Sequence, residues 1–137
     1  MGESTARAKQ AIEAFNNDDW DAARELFGNS VYNELGTQRS LAGADAIVEA
    51  LQGWKAAMPD VKGTVIGAVE DGQTVVLEVV WEGTQTGEMV TAEATIPPSG
   101  KHQKTPSAFI FEFENGRLKE SRNYFDVLTL LKQIGAA

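Results

Sequence analysis

The sequence contains no cysteine and a single histidine in 137 residues. Without cysteine, the chain can form no disulfide framework, no thiolate nucleophile and no cysteine-ligated zinc or iron–sulfur site. Because His102 is the only imidazole, a multi-histidine metal centre is impossible. A Ser-His-Asp triad would have to include it, although the sequence has no G-x-S-x-G motif. We therefore predict no metal site.

Basic residues are also scarce, with 12 lysines and arginines against 20 acidic residues and a formal net charge of −8. A negative field repels nucleic acid and acidic lipid, so we expect neither as a partner. The charge does not exclude small neutral or apolar ligands. No run approaches the roughly 18 apolar residues of a membrane span, and the N-terminus lacks a basic segment followed by an apolar run. We expect a soluble, cytoplasmic protein with one domain over residues 1–137.

Four segments show the apolar spacing of three and four residues that is typical of amphipathic helices. They cover residues 5–17, 20–27, 44–57 and 127–134. Asp18 or Asp19 is predicted to cap the second helix and Asp126 the last, because their carboxylates can accept hydrogen bonds from the free amides. A short strand is predicted at 31–35.

Between residues 60 and 126 the period changes to two, which predicts strands. Asp71-Gly72 and Asn115-Gly116 are dipeptides that favour two-residue hairpin turns, and a longer break lies at 97–100. The order is therefore three helices, a long antiparallel run of strands and a closing helix. This order indicates an α+β fold rather than a parallel α/β sheet.

The Asn115-Gly116 turn, as a two-residue turn, decides which side chains of the last two strands share a face. It pairs Glu114 with Arg117, and opposite charges across strands suit a wetted surface. The other face is therefore predicted to point inward. That face carries Phe109, Phe111, Phe113, Leu118, Glu120, Arg122 and Tyr124, and Asp126 follows it.

An inward face that mixes phenylalanines with ionisable groups has two explanations, because buried charges are costly unless they are paired. The first is internal satisfaction, in which Glu120 pairs with Arg122 and Asp126 only caps the last helix. The second is a cavity whose apolar walls hold a small ligand while a few polar groups orient it. From the residues alone, both explanations stay open.

The Asp71-Gly72 turn predicts the faces of the preceding hairpin in the same way. Its inward face is predicted to carry Ile66, Ala68, Val75, Leu77, Val79 and Trp81. Val76 and Val80 are left on the outer face, where they form an apolar strip that a partner subunit could cover.

Several residues have both a structural and a functional interpretation. Trp20, Trp54 and Trp81 either build the core or line a ligand site, since large aromatic area serves both purposes. His102 follows the break at 97–100. It is either an exposed residue at a strand end or a catalytic imidazole.

Four short segments, in this order, carry a resemblance to a known family. They are Phe15-Asn16-Asn17-Asp18-Asp19-Trp20, Trp54-Lys55-Ala56-Ala57-Met58-Pro59-Asp60, Trp81-Glu82-Gly83-Thr84-Gln85-Thr86-Gly87, and Tyr124-Phe125-Asp126 with Gln133-Ile134-Gly135. Together they resemble the SnoaL-like polyketide cyclases of the nuclear-transport-factor-2-like superfamily. The resemblance covers nearly the whole chain.

The resemblance implies a cone-shaped, cystatin-like or nuclear-transport-factor-2-like fold, with a curved antiparallel sheet around the helices, an internal cavity and commonly a homodimer. It also implies ring closure of an apolar, polyketide-like carbonyl compound by intramolecular aldol condensation, without a cofactor. By motif, the acid/base aspartate of the family falls on Asp126. From the predicted inward face we add Arg122 or Tyr124 as the group that steadies an enolate.

We therefore predict a SnoaL-like small-molecule enzyme of the cyclase or isomerase type, with a noncatalytic small-molecule-binding protein as the alternative. The predicted ligand-binding residues are Phe109, Phe111, Glu120, Trp54 and Trp20.

The sequence departs from the family at Gln85, where many relatives carry histidine, so no imidazole step is expected there. The stretch 122–126 also resembles limonene-type epoxide hydrolases. Epoxide hydrolysis ranks third because those enzymes need an Arg-x-Asp pair that this chain lacks.

Overall fold

The computed structural model describes residues 2–137, which form four helices and eight strands. The helices are α1 (Glu3–Asn16), α2 (Trp20–Phe27), α3 (Ala44–Ala57) and α4 (Val127–Gln133). The strands are β1 (Val31–Glu34), β2 (Arg39–Ala42), β3 (Lys62–Asp71), β4 (Thr74–Thr84), β5 (Met89–Val90), β6 (Thr95–Ile96), β7 (His102–Glu114) and β8 (Arg117–Phe125). None of these helices is long and apolar enough to cross a membrane.

Six of the strands form one mixed sheet in the order β2-β1-β8-β7-β4-β3, and β5 pairs with β6 apart from it. The sheet is antiparallel, as predicted, except at one place, where β1 runs parallel to β8. Strand β2, which the sequence did not predict, forms a short hairpin with β1 and pairs Glu34 with Arg39. The α+β class is confirmed.

The helices pack against the sheet around one apolar core. Ile47 and Val48 of α3 are fully buried, as are Val75, Leu77 and Val79 of β4. Buried residues recur after three and four positions in α3, as in Ile47, Ala50 and Leu51, and at every second position in β4, which is why both elements were predictable from the sequence. The core places the ends of α1, α2 and α3 over the inner face of β7 and β8.

Two of the helices, α2 and α4, begin at side-chain caps. Asp19 accepts a hydrogen bond from the amide of Ala22, 3.2 Å away, and so caps α2, as predicted. Asp126 accepts one from the amide of Thr129 and caps α4, also as predicted. Helix α1 begins at Glu3, two residues earlier than predicted, with Gly2 at its N-cap.

The hairpin of β7 and β8 has the predicted turn, and its phenylalanines and Leu118 point inward as predicted, but the face of β8 beyond Leu118 is not the predicted one. Asn115 and Gly116 both have positive φ (52° and 76°), as a two-residue turn of this kind requires. Phe113 pairs with Leu118, but Glu112 then pairs with Glu120, so Lys119 is an extra residue in a β-bulge. A shift of one residue moves every later side chain of β8 to the opposite face.

The hairpin of β3 and β4 turns one residue later than predicted, because Asp71 pairs with Thr74. It also contains a register shift between Val65 and Gly67. As a result the inward prediction for Ile66 is wrong, since this side chain is 62% exposed, and Val65 packs against the core instead.

Candidate functional site

A cavity of about 70 Å³ lies between the helices and the inner face of the sheet. Its apolar walls come from elements that are distant in the sequence. They include Ile12, Phe15, Phe27, Leu51, Phe109 and Leu130. A smaller set of polar or partly polar side chains completes the lining. These are Tyr32, Trp54, Trp81, Gln103, Thr105 and Asn123.

The carboxylate of Glu34 holds two of these walls in place. The Tyr32 hydroxyl and the Trp54 indole each donate to Glu34 Oε2 at 3.0 Å. Arg39 donates to Oε1 through two nitrogens at 2.8 and 3.0 Å, and Thr37 also donates to that oxygen. The carboxylate is 1% exposed, and it is stable there because it is fully hydrogen-bonded and paired with a cation.

Tyr32 is buried against this carboxylate. Burial, and then the charge of Glu34, raises the pKa of the Tyr32 hydroxyl well above its ordinary value. The hydroxyl therefore stays protonated and acts as a donor to Glu34. Its oxygen accepts a hydrogen bond of 3.4 Å from Asn123 Nδ2.

A second polar group lies on β7. Thr105 donates to Gln103 Oε1 at 2.7 Å, and Gln133 of α4 donates to the Thr105 hydroxyl at 3.2 Å. The Gln103 amide nitrogen has only the Met58 sulfur, 3.4 Å away, as its recorded partner. Because a thioether is a weak acceptor, this amide is available to a stronger one.

The predicted catalytic residues do not line this cavity. The bulge at Lys119 turns Arg122 and Tyr124 to the outer face of the sheet, where Tyr124 is 44% exposed. Arg122 forms ion pairs with Glu112 and Glu120 there, and these raise the pKa of its guanidinium further. The inward prediction for both side chains is wrong.

Asp126 is exposed and is occupied as a cap. Its carboxylate accepts from the amide and from the hydroxyl of Thr129, at 3.1 and 2.6 Å. These hydrogen bonds hold the pKa of Asp126 below its ordinary value, which makes it a weaker base. Of the two interpretations offered by the sequence, the structure shows the capping role.

The predicted ligand-binding residues divide into two groups. Phe109 and Trp54 line the cavity. Phe111 lies behind Phe109 and stacks on it at 4.5 Å between ring centroids, while Trp20 packs edge-on against Phe15. Glu120 lies on the outer face and accepts a hydrogen bond from Asn33, so its inward prediction is also wrong.

His102 and Gln85 have local partners. The His102 ring is half exposed and lies 2.8 Å from Glu82 and 3.0 Å from the Thr84 hydroxyl. Gln85 is fully buried. Its amide nitrogen donates to the backbone carbonyl oxygens of Gly87 and Pro97, in the segment between β4 and β7. Neither residue lines the cavity.

The sequence did not single out Glu34, Gln103 or Asn123. One usable signal was the pair of opposite charges, Glu34 and Arg39, on either side of a short polar turn. The inward orientation of Asn123 could not be predicted from the sequence, because it depends on the bulge at Lys119. Within residues 2–137, no three acidic or histidine side chains are grouped closely enough to hold a metal ion.

Comparisons with known proteins give one family and one fold. The family model described as SnoaL-like polyketide cyclase matches residues 6–134. No curated protein matches the chain.

Solved structures share the fold at low sequence identity. IdmH from Streptomyces antibioticus is 24% identical with a TM-score of 0.81, over 98% of this chain and 99% of that one. A protein named as a SnoaL-like polyketide cyclase from Jannaschia sp. CCS1 is 18% identical with a TM-score of 0.85, over 98% and 92%. A protein with a ketosteroid isomerase-like fold from Catenulispora acidiphila is 17% identical with a TM-score of 0.79, over 96% and 93%. The predicted fold is confirmed.

Proposed function

The chain belongs to the SnoaL-like polyketide cyclase family, and we propose that it binds a small, largely apolar carbonyl compound in the cavity and rearranges it by cyclase- or isomerase-type chemistry without a cofactor. The observation that carries this proposal is the cavity itself, which combines apolar walls with a few polar groups. Such a combination is typical of sites that bury a small molecule and fix its orientation.

The lining residues supply both recognition and a dry environment. Phe15, Phe109 and the other apolar lining residues would contact the apolar part of the ligand and exclude water. Exclusion of water strengthens each polar contact inside the cavity. Gln103 can donate from its amide nitrogen to the carbonyl oxygen, because its present partner is only the Met58 sulfur. An intramolecular ring closure then needs the ligand held with its reacting carbons close together.

A second candidate function is binding without chemistry, and one observation favours it. Among the described residues that line the cavity, none is a carboxylate or a histidine. A general base has to come within hydrogen-bond reach of the proton that it removes. The Glu34 carboxylate lies behind Tyr32 and Trp54, and both of its oxygens already accept hydrogen bonds.

Arg122, Tyr124 and Asp126 have no catalytic role in the proposed reaction. The bulge in β8 takes Arg122 and Tyr124 away from any enolate in the cavity, and Asp126 is exposed as a cap. Epoxide hydrolysis would draw on the same stretch, where Arg122 pairs with Glu112 on the outer face.

Hydrogen exchange next to a carbonyl tests the proposal without knowledge of the natural substrate. Small apolar ketones are incubated with the protein in D₂O, and loss of the hydrogens beside the carbonyl is followed by NMR. In this test solvent takes the proton from the carbon beside the carbonyl while the Gln103 amide donates to the carbonyl oxygen, and a deuteron from D₂O replaces that proton. We expect protein-dependent, saturable exchange that survives in Asp126→Asn.

The location of this activity is tested with a matched pair of variants. Ala11→Phe fills the cavity from α1 and should abolish exchange, whereas Ala6→Phe, at an exposed position of the same helix, should not. Saturable binding without exchange would support the noncatalytic function instead. Exchange that persists in a folded Ala11→Phe variant but is lost in Asp126→Asn would contradict the cavity as the site.

The homodimer is a further part of the proposal. Val76 and Val80 point away from the core on β4, as predicted, and Tyr124 on β8 and Val69 on β3 are exposed on the same outer face. Four exposed or half-buried apolar side chains on one sheet face are costly in water, and a second copy of the same face can cover them.

A further inference from the structure

Asn123 has a buried polar atom without a partner. The side chain lines the cavity and is 7% exposed, and its Oδ1 atom has no hydrogen-bond partner. Leaving a buried acceptor unpaired costs free energy, so native proteins contain few such atoms and each needs an explanation. A ligand in the cavity would supply the missing donor.

The neighbouring hydrogen bonds decide which end of the amide is free. Tyr32 has one hydroxyl proton, and it is directed to the Glu34 carboxylate, the stronger acceptor. The Tyr32 oxygen can therefore only accept from Asn123, so the amide atom 3.4 Å away is the nitrogen. The carbonyl oxygen of Asn123 is consequently the group left without a partner.

The same chain of hydrogen bonds makes this oxygen a selective acceptor. Asn123 donates to Tyr32, and Tyr32 donates to a buried carboxylate, so the chain ends in a negative charge and polarises the amide. Among the described lining residues, none is lysine or arginine. An anionic group placed beside Asn123 would face an acceptor oxygen and no cation in the lining, because Arg39 already forms an ion pair with Glu34 behind Tyr32.

We propose that Asn123 accepts a hydrogen bond from the hydroxyl or enol group of a neutral ligand, and that this contact selects hydroxyl-bearing compounds over their ethers and over carboxylates. The inference rests on the proposed function, because it names the ligand class of the same cavity. It assigns to the polar end of the cavity a preference for a neutral hydroxyl or enol, rather than for an enolate.

A matched pair of small probes separates this contact from apolar binding. Phenol and anisole have similar size, but only phenol carries a donor, and a purely apolar pocket would prefer anisole. By calorimetry we expect the protein to bind phenol about tenfold more tightly than anisole, the discrimination of one buried hydrogen bond. Benzoate, which is anionic at neutral pH, should not bind measurably.

Two variants of β8 complete the test. In Asn123→Leu the preference for phenol should fall to about one, while anisole still binds. Ser121→Ala is the control, because Ser121 is also buried with an unpartnered hydroxyl but does not line the cavity, and the preference should be unchanged.

Each outcome supports or overturns a defined statement. Equal affinities for phenol and anisole in the unmodified protein, or measurable binding of benzoate, would overturn the ligand class even if Asn123→Leu does not fold. Loss of the preference in both variants would overturn the role of Asn123. If neither phenol nor anisole binds, the proposed function fails and this inference fails with it.

Discussion

Glu34 is the side chain on which the polar wall of the cavity depends. It accepts hydrogen bonds from Tyr32 and Trp54, which both line the cavity, and is neutralised by Arg39. The sequence of segment 31–35 did not single out Glu34, because each face of the predicted strand carries both apolar and polar side chains. Single residues of this kind are recognised only when their partners, 20 positions away for Trp54, are known.

Removing the charge of Glu34 should destabilise the fold. We expect Glu34→Gln to lower the free energy of unfolding by about 2–3 kcal/mol. The substitution leaves Arg39 without a carboxylate partner. The glutamine side chain has only one acceptor oxygen for the donors that share two oxygens of Glu34 in the unmodified protein. The loss stays below that of a fully buried ion pair because the Arg39 side chain is 40% exposed. Urea denaturation measures it.

The control for Glu34→Gln is Glu112→Gln, which removes a carboxylate paired with Arg122 on the outer face of the sheet. Because both partners are partly exposed, we expect a loss under about 1 kcal/mol. Equal losses in the two variants would show that Glu34 is not a special anchor.

At the scale of elements, helices and turns were predictable, and strand faces beyond a bulge were not. Helices α2 and α3 have the predicted bounds, and the Asn115-Gly116 turn has the predicted geometry. The bulge at Lys119 left no signal in the sequence, because residues 119–123 are all polar and their pattern fits either register. Burial of Asn123 and Phe125 against helices and strands distant in sequence favours the observed register.

Two deletions in β8 test the bulge. Deleting Lys119 removes only the extra residue, so Glu120 still pairs with Glu112 on the outer face and the inner face is retained. Deleting Ser121 lets Lys119 take the place opposite Glu112, which puts Glu120 opposite the fully buried Phe111. We expect the first protein to unfold cooperatively near the original temperature.

The second deletion should be strongly destabilised, because it buries a carboxylate without a partner. Melting followed by circular dichroism compares the two proteins. The opposite order of stability would contradict the bulge.

At the scale of the whole molecule, the order of helices and strands was enough to predict the fold class. The site was not predictable in the same way, because the cavity collects side chains from α1, α2, α3, α4 and four of the β-strands. The net charge of −8 agrees with a neutral ligand and with the absence of lysine and arginine among the described lining residues.

The proposed homodimer predicts a concentration-dependent mass. Sedimentation at micromolar concentration should give a dimer, and Val80→Lys on the outer face of β4 should give a monomer, since it places a charge in the apolar interface. Val90→Lys is the matched control, because Val90 is 77% exposed but belongs to the separate pair of β5 and β6. A monomeric unmodified protein would contradict the dimer.

Whether ligands enter the cavity at all is measured most directly through the three tryptophans. Trp54 and Trp81 line the cavity, whereas Trp20 packs beyond Phe15 and serves as an internal reference. When phenol is titrated and the indole N–H signals are followed by NMR, we predict saturable shifts of Trp54 and Trp81 with one common Kd and little change at Trp20. Saturable shifts confined to the amides of Tyr124 and Asp126, with all three indoles unmoved, would place the ligand on the outer face and contradict the account.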